Sequence, residues 1–386
     1  MVTDLPPAEG SGQVLAIMND HPRHPRRPDL LLSDLTSELL WPSLFRAGTL
    51  AFRPGRLLIA FVTLVLIGLI GSLSRIWSEA PSFADRVGQV VGGVFRSIGA
   101  SLDGLNLARP WDLPLGEAGA AGFSLVLSAP VVLLREYPVS FFLLGLPMLG
   151  VALVGWGAIS RSASIEFALD VPESDSTSLA RALRSLAALL QAFLGPILIA
   201  GLVALVMGSI AWILFSLPVV DLLGAVLFGL GVIVALLLVT FLSLWLASLP
   251  ILPAAVMCEG PDVFDAVQRG LAYVVRKPLR YALYLLVLVA VGAVLTAIVS
   301  LLLYAADRFA TGASVMFLSP EYAEKLSDLT QVHSTLLTRI LGFWRSMLQI
   351  ALGAFVFSYV GSASAVLYLL MRKLVDGQTP ADMPKT

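Results

Sequence analysis

The chain has 386 residues, of which 58% are hydrophobic and 13% charged, and its formal net charge is −1. Soluble domains carry about 25% charged residues and need a polar exterior. This composition therefore excludes a soluble globular protein, an intrinsically disordered chain and a nucleic-acid binder. The single cysteine, Cys258, excludes an intramolecular disulfide framework. The composition predicts an integral membrane protein.

The chain begins with a polar tail at residues 1–32, in which the run 21–28 is basic and rich in proline. Such a run favours an extended, disordered conformation. It is either a plain solvated tail or a segment weakly attracted to anionic lipid. Residues 1–29 contain no sustained apolar core, so we expect no cleavable signal peptide.

Six uncharged apolar segments follow, each long enough to cross a bilayer as a helix of about 20 residues. Gly195-Pro196 predicts a break, with a surface helix before it and the crossing helix after it. The predicted fold class is an all-α, polytopic transmembrane helical bundle with amphipathic interfacial helices, spanning residues 33–374. The predicted spans are 57–76, 139–160, 197–217, 229–249, 281–304 and 347–371.

The longest predicted extracytoplasmic segment lies between the first two spans, at residues 78–138. An apolar stripe from Phe83 to Leu102 indicates a helix on the membrane surface or a docking face for a partner. Residues 118–134 are uncharged but divided by Pro130, so they are re-entrant, interfacial or a seventh span. A seventh span would place the two termini on opposite sides of the membrane.

Basic residues predict the orientation. With six spans, most of the 25 lysines and arginines lie on the side that carries both termini. The positive-inside rule places that side, including the tails 1–32 and 375–386, in the cytoplasm, and the protein in the cytoplasmic membrane. The basic residues next to the membrane are candidates for contact with interfacial lipid: Arg53, Arg56, Arg184, Arg269, Arg276, Lys277, Arg280, Arg372 and Lys373.

A short amphipathic motif precedes each outward span. Arg269-Gly-Leu-Ala, before the fifth span, matches Arg184-Ser-Leu-Ala, before the third. Before the first span, Arg46 and Arg53 repeat the seven-residue spacing of Arg269 and Arg276. The sequence thus suggests three units, each an amphipathic helix followed by a helical hairpin. Internal repeats of this kind are common in membrane transport folds, but they indicate architecture and not activity.

The stretch from Pro253 to Tyr284 combines prolines, small apolar residues, Glu259-Gly, an Ala-x-x-Arg core and a basic stop. It resembles a group of bacterial six-span integral membrane proteins of unknown function, and it is similar to the membrane domain attached to some glycerophosphodiester phosphodiesterases. The runs 159–163 and 368–377 resemble motifs of the same group. The resemblance implies a six-helix membrane fold and no known chemistry. We expect no counterpart of the soluble catalytic domain that accompanies some relatives.

Side chains suited to catalysis or metal binding are scarce. The histidines are His21, His24 and His333, too few and too scattered for a zinc site. The sequence contains no nucleophile elbow, phosphate-binding loop or His-Glu-x-x-His motif. Cys258 stands at a span end without a nearby histidine, which indicates a buried or interfacial thiol. We therefore expect no catalytic, cofactor-binding or metal residues and no cofactor.

The best polar constellation is Glu259, Asp262 and Asp265, three carboxylates beside the fourth span. They could hold Mg²⁺ for a reaction on a lipid phosphate. The favoured interpretation is that they cap and charge an interfacial helix, with Asp262 as the cap and Asp265 pairing with Arg269.

These observations predict a non-enzymatic membrane protein that organises lipids or protein partners, with no nucleic-acid ligand. The protein partner is a second membrane protein or another copy of the chain. One alternative is a transporter or permease-like subunit, which the repeats suggest and the uncharged span interiors oppose. A second alternative is an interfacial lipid-acting enzyme, which rests only on Glu259, Asp262 and Asp265.

Overall fold

The computed structural model describes residues 41–76, 82–90, 93, 129–216, 221–260, 263–317 and 336–378. These residues form helices and the turns between them, and they contain no strand. The predicted amino-terminal tail, most of the apolar stripe from Phe83 to Leu102, and the residues Asp262 and His333 lie outside the described residues.

Six helices of the described residues are long and apolar enough to cross a membrane, which confirms the predicted fold class. In chain order the described helices are α1 (Trp41–Leu44), α2 (Arg46–Ala51), α3 (Pro54–Ser72), α4 (83–90), α5 (Ala129–Glu136), α6 (Pro138–Leu169), α7 (Asp175–Arg184), α8 (Leu186–Ser216), α9 (Asp221–Ser248), α10 (Leu252–Glu259), α11 (Val263–Arg276), α12 (Pro278–Val315) and α13 (Leu336–Asp376). The six long apolar helices are α3, α6, α8, α9, α12 and α13. Helix α6 contains a π-helical turn at Phe141–Gly145, and α9 leads into α10 through a 3₁₀ turn.

The six spans pair in chain order as three antiparallel hairpins: hairpin I (α3 and α6), hairpin II (α8 and α9) and hairpin III (α12 and α13). A short helix precedes each hairpin. Helix α7 packs on α6, α11 packs on α9 and α10, and α2 packs on α13. Each short helix therefore contacts the returning part of another hairpin, and α2 joins hairpin III to the start of hairpin I. The three units suggested by the sequence share this packing.

Buried side chains concentrate at one end of the spans, here named the arginine-rich end, where α3, α8 and α12 begin and α6, α10 and α13 finish. Leu44, Ile159, Trp245 and Leu252 are at most 1% exposed there. Beyond Ala200, the described side chains of α8 are no longer buried. Hairpin II therefore packs against the rest of the protein mainly near the arginine-rich end.

Close contacts between glycine and larger residues bring the helices of this core together. A Cβ atom on Gly155 of α6 would lie 2.3 Å from Oγ1 of Thr63 on α3. A Cβ atom on Gly361 of α13 would lie 2.6 Å from Cγ2 of Ile159 on α6. The absence of a side chain at these positions lets the helix backbones approach closely, as is typical of membrane helix interfaces.

The predicted helix break at Gly195-Pro196 is wrong, because α8 runs from Leu186 to Ser216 through Pro196. A proline inside a helix leaves the carbonyl four residues earlier without its usual N–H donor. Here that carbonyl belongs to Ala192, and the indole Nε1 of Trp245 donates a hydrogen bond to it at 3.3 Å. The neighbouring helix α9 thus replaces the missing donor. Membrane helices tolerate proline where a neighbouring group forms the hydrogen bond that the proline cannot.

The described part of the doubtful segment 118–134 is not a span. It forms the start of α5, a helix of eight residues, while residues 118–128 lie outside the described range. Leu133 of α5 packs with Phe83 of α4 and Leu144 of α6. Glu136 pairs with Arg86 at 3.1 Å. Helices α4 and α5 therefore pack against the start of α6, at the end opposite to the arginine-rich end.

Candidate functional site

Three arginines at the arginine-rich end are buried, each on a different helix. Arg56 of α3 is 1% exposed, Arg161 of α6 is 7% exposed and Arg372 of α13 is 4% exposed. A charge without solvent is stable only when it is paired and hydrogen-bonded. The three arginines and the carboxylates that pair with them, Glu166, Glu173 and Glu259, are here named the arginine layer.

Arg56 uses its guanidinium group to join three elements. Its Nε donates to Oγ of Ser162 at 3.1 Å, and its Nη1 donates to the carbonyl of Leu50 at 2.7 Å. Its Nη2 pairs with Oε2 of Glu166. The other oxygen of Glu166 pairs with Arg53 at 2.7 Å. This contact set ties α3, α6 and the end of α2 together.

Arg161 links hairpin I to hairpin II. Its Nη1 donates to the carbonyl of Met257 at 3.1 Å, and its Nε lies 3.7 Å from Oε2 of Glu173. Glu173 also accepts a hydrogen bond from the hydroxyl of Ser178 at 2.6 Å. The chain between α6 and α7 thus supplies the carboxylate that balances this buried charge.

Glu259, at the end of α10, lies where hairpins II and III meet. One carboxylate oxygen pairs with Arg269 at 2.8 Å. The other accepts a hydrogen bond from the hydroxyl of Tyr368 and lies 3.7 Å from Arg372. Within the described residues, no group of three His, Cys, Asp or Glu side chains could hold a metal ion. The carboxylate of Glu259 is engaged by the cationic groups of Arg269 and Arg372 and by the hydroxyl of Tyr368.

Two of the nine cations expected at the lipid interface are instead inside the protein. Arg56 and Arg372 are at most 4% exposed. The expected contact with interfacial lipid is wrong for these two arginines, because neighbouring helices place carboxylates beside them. Those carboxylates are close in space but distant in the sequence. Arg53 and Arg269 are partly exposed and paired with Glu166 and Glu259. The remaining five are exposed or half-buried at the same end: Arg184, Arg276, Lys277, Arg280 and Lys373.

An open groove of about 570 Å³ lies between α11 and the end of α13. Its lining carries Asp265, Arg269, Tyr273 and Arg276 from α11, and Asp376 faces them. The hydroxyl of Tyr273 donates to Oδ2 of Asp376 at 2.5 Å. Oδ1 of Asp376 lies 4.0 Å from Nη1 of Arg276. The groove is polar and carries charges of both signs.

The surroundings of Tyr273 and Arg269 shift the pKa values of these two groups. Burial raises the pKa of Tyr273, and its hydrogen bond to the carboxylate of Asp376 raises that pKa further. Burial is the largest single influence on Arg269 and opposes its charged form, but Glu259, Tyr368, Tyr273 and Asp376 together outweigh it and raise the pKa of Arg269. Both groups are therefore held in their ordinary protonation states at neutral pH.

Helix α11 has a buried face and an exposed face, which is compatible with the predicted amphipathic interfacial helix. Ala266, Gly270 and Val274 are buried against the protein. Phe264 is 84% exposed and Val275 is 57% exposed, so apolar side chains also project from the two ends of the helix. The helix thus presents an apolar face to the protein, a polar face to the groove and apolar residues to its surroundings. This pattern is typical of a helix in a membrane interface.

Sequence reasoning missed Arg161, Glu166, Glu173 and Asp376 as members of this polar end. The available signal was the run Ser160-Arg-Ser-Ala-Ser164, in which small polar residues surround an arginine close to a span end. Small residues and hydroxyl groups beside a charge are typical of helices that pack tightly.

No protein-family model, curated protein or solved structure matches this chain.

Proposed function

We propose that the protein is a non-enzymatic membrane protein that organises lipids or protein partners at the cytoplasmic membrane. Both termini and the arginine-rich end face the cytoplasm in this proposal, in keeping with the basic residues at that end. The proposed resemblance to the membrane domain of some glycerophosphodiester phosphodiesterases is compatible with such a role.

One observation carries the proposal: the buried charges are engaged by each other, while exposed cations surround them. Glu166 and Glu259 each pair with two arginines. Outside this layer, Lys277 and Lys373 are exposed and Arg280 is half-buried, next to the beginning of α12 or the end of α13. Basic side chains next to the ends of membrane helices suit anionic lipid headgroups. Each one contributes about 1 kcal/mol to the attraction between the protein and an anionic membrane surface.

The geometry offers less to the alternatives. A lipid-acting enzyme needs a carboxylate free to bind Mg²⁺ or to move a proton, and Glu259 is held by Arg269, Arg372 and Tyr368. A transporter or permease-like subunit would draw support from the three hairpins, because transport folds often contain internal repeats. The basic rim, formed by Lys277, Arg280 and Lys373, serves the organising role directly.

The test is a triple variant that removes the charge of the rim, Lys277→Gln, Arg280→Gln and Lys373→Gln. In nanodiscs of mixed neutral and anionic phospholipids, we expect native mass spectrometry to show anionic lipid enriched on the parent protein and reduced on the variant. The matched control, Arg75→Gln with Arg308→Gln, removes exposed cations at the opposite end and should keep the enrichment.

Two further results would decide the class of function. A second polypeptide retained at fixed stoichiometry after extraction from the native membrane would identify the organised partner. Equal lipid composition on all three proteins, with no retained polypeptide, would contradict the proposal. A solute flux that depends on the protein in sealed vesicles would favour the transporter instead.

A further inference from the structure

The polar groove between α11 and the end of α13 has the volume of a ligand site. Its volume of about 570 Å³ lies within the range of small-molecule pockets, which is about 300–1,000 Å³. Phe264 and Val275, which adjoin the lining residues Asp265 and Arg276 in the sequence, are 84% and 57% exposed. A groove with this position meets the headgroup layer if α11 lies in the membrane interface.

The groove is lined by charges of both signs. Asp265, Arg269 and Arg276 lie on α11 at spacings of four and seven residues, which places them on one face of the helix. Asp376 of α13 stands across from them and lies 4.0 Å from Arg276. Two carboxylates and two guanidinium groups line the groove, so the lining suits a ligand that carries both a positive and a negative group.

The arginines suit a phosphate. A guanidinium group has five N–H donors, and the contact of Arg269 with Glu259 uses its Nη1. Arg276 is 64% exposed, and its distance from Asp376 is longer than a hydrogen bond. The amides of Gln268 and Gln378 also face the groove. These groups together can donate to the oxygens of a phosphate diester or monoester.

The carboxylates suit a primary ammonium group. Asp265 and Asp376 can accept hydrogen bonds from an ammonium, whereas a quaternary ammonium has no N–H to donate and is bound by exposed aromatic faces. The aromatic ring in the lining, Tyr273, is 1% exposed. The groove therefore favours ethanolamine over choline, and the two carboxylates of its lining favour a zwitterion over an anionic headgroup.

From these observations we propose that the groove between α11 and α13 binds phosphoethanolamine, with Arg269 and Arg276 at the phosphate and Asp265 and Asp376 at the ammonium. This proposal rests on the proposed lipid-organising role, because it names the headgroup class at the arginine-rich end. The same chemistry is present in phosphatidylethanolamine and in a free phosphoethanolamine ester.

The experiment uses the full chain in nanodiscs that contain phosphatidylcholine, phosphatidylglycerol and phosphatidylethanolamine in equal amounts. After release from the nanodisc, we expect native mass spectrometry to show retention of phosphatidylethanolamine. Arg276→Gln removes one charged donor from an exposed position, and we expect it to reduce the affinity about tenfold. Asp265→Asn should act in the same direction at the ammonium.

Matched variants separate binding from folding. Lys277→Gln changes the neighbouring exposed cation, which does not line the groove, and it should retain phosphatidylethanolamine. Arg276→Lys keeps the charge and should restore part of the affinity. Titration of free phosphoethanolamine into protein held in phosphatidylcholine nanodiscs distinguishes the two sources, since binding there would assign the site to the soluble ester.

The results have distinct meanings. Equal retention of all three lipids, with no binding of free phosphoethanolamine, would overturn the groove proposal. So would equal loss in the Arg276→Gln and Lys277→Gln variants. Because the rim test uses Lys277, Arg280 and Lys373 and scores anionic lipid, it can fail or succeed independently of the groove test.

Discussion

Replacing Glu166 with glutamine tests whether the arginine layer stabilises the fold. The carboxylate of Glu166 is 12% exposed and pairs with Arg53 at 2.7 Å and with Arg56, whose side chain is 1% exposed. Glutamine keeps the size but leaves two guanidinium groups without a negative partner. Breaking a buried ion pair costs about 3–5 kcal/mol. Arg53 is 43% exposed and can be solvated, so we expect a value near the lower limit, about 3 kcal/mol.

The assay is unfolding of the protein by sodium dodecyl sulfate in mixed micelles. Cys258 is 2% exposed, so the reaction of its thiol with a maleimide reports unfolding. Asp170→Asn is the matched control, because the pair of Asp170 with Arg46 is 76% and 43% exposed. Asparagine tolerates the φ of 53° at that position, and loss of an exposed pair costs about 0–1 kcal/mol.

A double variant identifies the cause of the loss. Arg56→Met combined with Glu166→Gln removes the buried charge together with its partner, so we expect it to be more stable than Glu166→Gln alone. If Glu166→Gln is no more destabilising than Asp170→Asn, the buried ion pair is not a significant source of stability. A double variant as unstable as the sum of the two single variants would equally refute the reasoning.

Three further predictions follow from single contacts. Gly155→Ala should destabilise by about 1–3 kcal/mol, because its Cβ would lie 2.3 Å from Thr63, whereas Gly208→Ala, with no atom within 4 Å, should be neutral or stabilising in the same unfolding assay. Trp245→Phe should lower the free energy of unfolding by about 1–3 kcal/mol, because it leaves the carbonyl of Ala192 without a donor. Adding Pro196→Ala restores a backbone N–H and should recover part of that loss. If nothing is recovered, the hydrogen bond from Trp245 does not compensate for Pro196. The raised pKa of Tyr273 stabilises the fold at pH values below the unfolded pKa of about 10, and this contribution is lost as pH rises through the folded pKa. The thermal midpoint of the parent protein should therefore fall more steeply above pH 10 than the midpoint of Tyr273→Phe. Parallel curves of midpoint against pH would contradict this prediction.

The positions and order of the spans could be predicted from the sequence, because an apolar helix of about 20 residues satisfies its own backbone hydrogen bonds in lipid. The boundaries were less accurate. The prediction for the third span began at residue 197, but α8 begins at Leu186, since Trp245 supplies the donor that Pro196 lacks. That compensation comes from another helix, and local sequence rules do not contain it.

The seven-residue spacing of Arg46 and Arg53, which Arg269 and Arg276 repeat, was also visible in the sequence. The groups that these arginines contact were not. In the structure all four arginines pair with carboxylates: Arg46 with Asp170, Arg53 with Glu166, Arg269 with Glu259 and Arg276 with Asp376. The amphipathic helices are thus fixed to the ends of spans as well as suited to an interface.

Hydropathy and charge by themselves determined the class of the protein, the six apolar helices found among the described residues and the basic character of one end, because each depends on short segments of the chain. Only the tertiary structure decided which arginines are buried and which are exposed. Arg56 and Glu166 are 110 positions apart in the sequence, and Tyr368 and Glu259 are 109 apart. Their pairing depends on how the hairpins pack, since the ends of separate helices must meet before a buried charge finds its partner.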